Sequence, residues 1–314
     1  MVKVLYIAGW GRSGTTILDN ILNAYPSVFS AGELFYLWRR GLVQGRRCGC
    51  GVRLPDCPCW SAIRRQAFGT AEPDPREMMA LQAEAARARH ALRLYHRPHE
   101  PAVRRYREIM GQVYRAVGEV TGAELVVDSS KTPAGAAVLA RLAGVEGYLV
   151  HMVRDPRAVA YSWMRAKPQV DRPRPAMMDR HGPWESTGQW LACNAVIAHL
   201  APAYGPRQAR LRYEDFLTDP RARVENLLRL AGVSTADGPF RGPREVALVP
   251  NHTVSGNPSR FTTGTVTLRL DDAWRGGQRP RDRVVASAVA LPLLRRYGYP
   301  LQPRRPPAAG PRPR

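Results

Sequence analysis

Long apolar runs are missing from this chain of 314 residues, and nothing in it approaches the roughly 18 consecutive apolar residues of a membrane helix. The apolar stretch at the amino terminus runs straight into Gly9-Trp10-Gly11-Arg12 with no small-residue cleavage site behind it, so the chain reads as mature and cytoplasmic. Lysine is nearly absent: of 47 basic residues only Lys3, Lys131 and Lys167 are lysines. Against 26 acids this leaves a formal charge of +21. Such an excess attracts nucleic acid, anionic lipid or phosphorylated small molecules and says nothing about fold, and an Arg-, Ala- and Pro-rich composition is also what a GC-rich coding sequence produces. Cysteine is scarce, at five, which with a reducing cytosol argues against a disulfide framework. No internal repeat is present. What remains, 44% apolar and 23% charged, is long enough to bury a sizeable core.

Residues 2–8 (VKVLYIA) form a short β-branched run suited to a strand buried on both faces, and the apolar spacing of Ile17, Leu18, Ile21 and Leu22 over 16–24 is helical. Further buried strands are expected at 124–127, 147–153 and 209–213, separated by helices at 134–143, 156–166 and 185–202. Alternation of this kind predicts an α/β fold, a parallel sheet flanked by helices. Two segments break the alternation. Residues 77–95 read as one long helix, followed by a second over 103–120, and the Pro-rich stretch 168–183 reads as a lid or loop. A polar stretch over 250–264 reads as an ordered binding loop, a last helix is expected at 281–296, and the Pro/Arg-rich tail 301–314 is expected to be disordered.

The sharpest signal is Gly9-Trp10-Gly11-Arg12-Ser13-Gly14-Thr15-Thr16 between the first strand and its helix. Glycines let several backbone N–H groups converge, and the helix amino terminus adds partial positive charge, which makes an anion site. The spacing of Gly9 and Gly14 is that of a P-loop, but Thr15 stands where a nucleotide kinase has lysine. Arg12 supplies charge instead, as a planar fork suited to an oxyanion. A second anion segment is Val153-Arg154-Asp155-Pro156, where Arg154 leaves a strand at its carboxyl end and Ser162 follows two helical turns on. Two rival readings stand beside this. One is a P-loop kinase with Asp128 in a metal-binding role; the other is a basic nucleic-acid-binding module, which leaves both anion loops unexplained.

With these two motifs the sequence resembles the sulfotransferases that use 3′-phosphoadenosine 5′-phosphosulfate (PAPS). It is closer to the tyrosylprotein and carbohydrate branch than to the aryl sulfotransferases, which carry lysine in the loop. Arg212-Tyr213-Glu214 resembles a third segment of that family. The resemblance spans about 2–300 as one P-loop-like domain, with an acceptor-binding cap from 38–120 and 166–186. It implies that Arg12, Ser13, Gly14, Thr15 and Thr16 hold the 5′-phosphosulfate, Arg154 and Ser162 the 3′-phosphate, and that Tyr213 lies near the adenosine. Lys131 corresponds to a lysine that stabilises the transferring group, and Ser255 to a residue facing the sulfate. Glu33, 21 positions after Arg12, matches the catalytic glutamate, with His252 and His181 as rival bases; His151 reads as a core histidine. The implied reaction moves a sulfuryl group to a hydroxyl of a carbohydrate, secondary metabolite or tyrosine, with no nucleic-acid partner and no membrane span.

Cys48, Cys50, Cys57 and Cys59 lie within twelve residues, as C-x-C-x6-C-x-C. Four thiolates suit a structural zinc, although C-x-C is tighter than the usual pair; free thiols or a redox pair are the other readings. Cys193 is expected to pack within a helix.

Overall fold

The computed structural model describes residues 1–301 apart from 88, 89, 173 and 175, so most of the Pro/Arg tail lies outside the described residues. The chain opens with β1 (Val2–Ala8), α1 (Thr15–Asn23) and β2 (Val28–Gly32). A helical insert follows: short turns, a π-helical segment over Leu37–Val43, then α2 (Pro58–Phe68), α3 (Pro75–Ala85), α4 (Ala91–His96) and α5 (Pro101–Thr121). Next come β3 (Leu125–Lys131), α6 (Pro133–Leu139), β4 (Val145–Val153), α7 (Pro156–Met164), α8 (Pro183–Leu200) and β5 (Gln208–Arg212). The chain then forms α9 (Tyr213–Thr218), α10 (Pro220–Leu230), a hairpin of β6 (Glu245–Leu248) and β7 (Gly264–Thr267), α11 (Trp274–Gly277) and α12 (Pro280–Leu294).

Five parallel strands pair in the order β2-β3-β1-β4-β5. Side chains along β1 alternate between the faces: Leu5 and Ile7 join a core with α1, α9 and α10, whereas Val4, Tyr6 and Ala8 join one with α5, α6 and the insert. After β1 the chain passes to one side of that strand and after β3 to the other. That switch opens a crevice beyond the carboxyl ends of the strands.

The expected α/β layering is present, with differences beside the unforeseen β6–β7 hairpin. The strand β2 is not among the strands expected from the sequence; it is short and carries Ser30 and Gly32, which mask strand character. The single helix over 77–95 is two helices, α3 and α4, because Ala85 and Ala86 are buried at the end of α3 and the chain turns there to dock α4. Tyr213 opens α9 instead of closing a strand. Within 168–183, Asp171 is buried and paired with Arg46 at 3.8 Å and Arg260 at 3.7 Å, so that loop is anchored to the body.

Candidate functional site

The glycine loop owes its shape to Gly14, at φ 86°, where a Cβ would lie 2.4 Å from the Tyr213 ring. Arg12 takes a φ of 69° without being glycine, a conformation that costs a side-chain-bearing residue on the order of 1 kcal/mol. The loop turns the Arg12 guanidinium over the Trp163 ring, 4.9 Å from its centroid, with Nη2 3.5 Å from the Met178 sulfur. Its Nε and Nη1 are buried without a hydrogen-bond partner among the described residues. Burial lowers the Arg12 pKa from its ordinary value, with the Glu33 charge opposing.

On the next strand a bulge does equivalent work. Tyr6 pairs with Asp128 but Ala8 pairs with Lys131, so β3 holds one extra residue against β1. Lys131 thereby adopts φ 71°, the second non-glycine residue in the left-handed region at this site. Its Nζ donates to Glu33 Oε1 and, at 3.1 Å, to the Ser129 carbonyl. Glu33 Oε2 accepts from Arg40 Nη1 at 3.2 Å, and Arg40 in turn donates to Ser255 Oγ at 3.0 Å. The Glu33 amide donates to the Ser255 carbonyl at 3.2 Å. Burial pushes the Glu33 carboxyl up, but Lys131 and then Arg40 outweigh it and hold the group below its ordinary pKa.

Arg154 leaves β4 beneath the loop. Its Nη1 donates to the Arg12 carbonyl at 3.1 Å, and its Nη2 to the Asp271 carbonyl at 2.8 Å and to Asp271 Oδ2 at 3.2 Å. The guanidinium lies over the Tyr213 ring at 4.3 Å. Glu214, next to Tyr213, accepts from the Asp155 amide at 3.1 Å and from the Tyr299 hydroxyl at 2.8 Å, which locks the Arg-Tyr-Glu segment to the turn after β4.

These groups share one cavity of about 950 Å³. Arg12, Gly14, Thr15, Thr16 and Glu33 line it together with Lys131, Arg154, Ser162 and Tyr213, so most of the residues singled out in the sequence meet in one cavity. Ser13 and Ser255 are buried and are not among the lining residues; Ser255 sits behind Glu33 and Arg40. The insert contributes Arg40, Arg87 and Leu92 to the rim, and the 166–186 segment contributes Lys167 and Met178. Burial lowers the Lys167 pKa, with Arg12 the next cause. Asp128 accepts from the Tyr114 hydroxyl at 2.6 Å and from the Ser130 amide at 2.8 Å, is buried, and does not line the cavity. That removes it from the metal-binding role of a kinase.

Neither rival base is among the residues lining the cavity. His181 pairs with Glu185 at 2.8 Å, against the Trp163 ring. His151 is a core histidine, its Nε2 2.9 Å from Asn194 Oδ1, with burial bringing its pKa down to about 4. His252 joins the cysteines: its Nδ1 lies 3.4 Å from Cys57 Sγ and 3.8 Å from Cys48 Sγ, and Cys50 Sγ is 3.8 Å from Cys57 Sγ. The four ligand atoms of Cys48, Cys50, Cys57 and His252 lie within 4.8 Å of one another. Cys59 is outside the group, a correction to the four-cysteine set; α2 begins at Pro58 and packs Cys59 against the hydrophobic core. Cys193 lies buried in α8 as expected, its Sγ 3.5 Å from the Gly9 carbonyl.

Among known proteins, the sulfotransferase family profile matches residues 5–237. The chain belongs to the sulfotransferase family. This sulfotransferase is similar in structure to the sulfotransferase domain from the curacin biosynthetic pathway, with a TM-score of 0.52 and 19% identity over 96% of this chain and 99% of that one. It is also similar to the sulfotransferase domain from the Synechococcus PCC 7002 olefin synthase, with a TM-score of 0.50 and 20% identity over 92% and 94% of the two chains. At those identities the likeness establishes the parallel α/β fold. No curated protein matches it in sequence. Among the described residues no helix of this sulfotransferase is long and apolar enough to cross a membrane.

Proposed function

We propose that the sulfotransferase moves a sulfuryl group from PAPS to a hydroxyl of a small-molecule or glycan acceptor. The observation that carries this reading is Glu33 held between Lys131 and Arg40 in the cavity that the glycine loop also lines. The buried guanidinium of Arg12 supports it: two of its nitrogens have no partner among the described residues, and an unpaired buried donor is costly unless a ligand meets it. Arg12 with the amino terminus of α1 would hold the phosphosulfate, Arg154 and Ser162 the 3′-phosphate, and Tyr213, stacked on Arg154, would lie near the adenosine.

In the transfer, the acceptor oxygen bonds to sulfur as the bond from sulfur to the 5′-phosphate oxygen breaks, and adenosine 3′,5′-bisphosphate leaves. Arg12 and Lys131 offset negative charge on the group in flight and on the leaving phosphate. Glu33 receives the acceptor's proton. Its lowered pKa keeps it ionised at neutral pH at some expense of basicity, and the hydroxyl grows more acidic as its oxygen bonds to sulfur.

Donor selection tests the reading. Titration with PAPS, adenosine 5′-phosphosulfate, ATP and duplex DNA in parallel should show tightest binding to PAPS. Arg154→Ala should weaken PAPS by roughly 1.5–3 kcal/mol and abolish its advantage over the donor lacking the 3′-phosphate. Undiminished discrimination in that variant would remove Arg154 from the 3′-phosphate site.

A further inference from the structure

We infer that Cys48, Cys50, Cys57 and His252 bind one zinc ion in a closed, structural site. A tetrahedral zinc with Zn–S near 2.3 Å and Zn–N near 2.0–2.1 Å has S···S edges of about 3.8 Å and S···N edges of about 3.6 Å. The observed edges are 3.8 Å between Cys50 and Cys57, and 3.8 and 3.4 Å from His252 Nδ1 to Cys48 and Cys57. Those three of the six edges match such a tetrahedron, and all four ligand atoms lie within 4.8 Å of one another. All four positions are protein ligands, which is the arrangement of structural and not of catalytic zinc.

The surroundings are shaped for the same arrangement. The turn carrying Cys48 and Cys50 approaches the 251–255 loop so closely that a Cβ at Gly49 would lie 1.8 Å from Asn251 Oδ1. The Gly49 amide donates to the Thr253 carbonyl at 3.0 Å, and Trp60 Nε1 donates to the His252 carbonyl at 2.6 Å. Phe29 stacks on the His252 ring. Binding would release the three thiol protons to solvent and leave three thiolates and a dication, a net charge of −1. Arg260, buried beside this loop, donates through Nη1 to Thr253 Oγ1 at 3.0 Å.

The ion would join two segments that the sequence separates widely, a turn in the insert and the loop that runs on to Ser255. Ser255 accepts from the Glu33 amide and from Arg40, so the zinc would fix the support behind Glu33. This consequence, unlike the site itself, rests on the reading of Glu33 as the base.

Metal analysis of the full chain purified without chelator should find about one zinc per chain, and cobalt substitution should give the visible absorption of a tetrahedral thiolate site. Cys59→Ser should leave both readouts unchanged, His252→Ala should lose most of the metal, and His252→Cys should recover it with stronger thiolate-to-cobalt absorption. These measurements need neither donor nor acceptor, so they stand whatever becomes of the sulfuryl-transfer assignment. Wild-type protein that binds neither metal overturns the proposal, as does loss of metal in Cys59→Ser with retention in His252→Ala.

Discussion

Glu33 illustrates how much one residue's role depends on neighbours that are remote in sequence. Its ion pairs with Lys131 and Arg40 make the ionised carboxylate the resting form, so Glu33→Gln should leave PAPS affinity near wild type while lowering turnover roughly 10²–10⁴-fold. On the proposed reading Glu33 acts as the base in its ionised form, and its pKa lies below the ordinary value, so turnover should stay level through mildly acidic pH. It should fall only as pH drops below the ordinary glutamate range. A pH profile of kcat on stable protein checks the position of that limb. Asp19 is the opposite case. Burial raises its pKa to about 7, against hydrogen bonds from Ser30 and Ser129. Between the unfolded value and about 7 the folded protein holds a proton that the unfolded chain releases, so this group's stabilisation is complete at low pH and is lost as pH rises towards 7. Asp19→Asn should therefore flatten the fall in Tm between roughly pH 4 and 7, as seen by calorimetry across that range. Arg154 was legible from its place at a strand end, whereas Glu33 and Lys131 were legible only through the resemblance to the sulfotransferases. Arg40 and Asp271 were not, since nothing distinguishes one arginine among so many or one acid in an irregular segment.

At the scale of elements, strand and helix periodicity located β1, β4, α5 and α8 closely, because buried runs and amphipathic spacing are local signals. The break between α3 and α4, the β6–β7 hairpin and β2 are set by tertiary packing, and local propensity does not report it. His252 as a partner of the cysteines was invisible for the same reason: the loop that brings it to Cys57 is placed by β2, with the Val254 amide donating to the Ala31 carbonyl at 2.9 Å. The glycine loop makes its own prediction. Gly14→Ala adds a Cβ at positive φ against the Tyr213 ring, whereas Gly264→Ala adds one at φ 80° with nothing within 4 Å. The two share backbone strain of roughly 1–2 kcal/mol and differ in the clash. Gly14→Ala should lower Tm further and also weaken PAPS; Gly264→Ala should leave donor affinity unchanged. Equal losses in both would mean that the approach of Tyr213 to the loop is not needed.

For the whole molecule, the charge of +21 and the cavity act on different length scales. At physiological salt, interactions between exposed charges more than about 8 Å apart are largely screened, while Arg12 and Arg154 would meet a ligand at contact distance in the cavity they line. Duplex DNA should accordingly bind this protein weakly and with a steep loss as salt rises. PAPS affinity should fall less steeply over the same range, and DNA at low salt should not displace bound donor. Competition titrations at two salt concentrations test this, and displacement of PAPS by DNA would put the polyanion in the cavity.

The cavity is assembled from residues spread between Gly9 and Asp271. Contacts of such long sequence separation form late, after the entropy of closing large loops has been met. A ribosome must therefore synthesise most of the chain before the glycine loop has Arg154 and Asp271 beneath it, and Arg12 stays without its finished surroundings until then. Competence to bind the donor should arise in one late step of folding, so recovery of PAPS binding during refolding would time closure of the complete molecule.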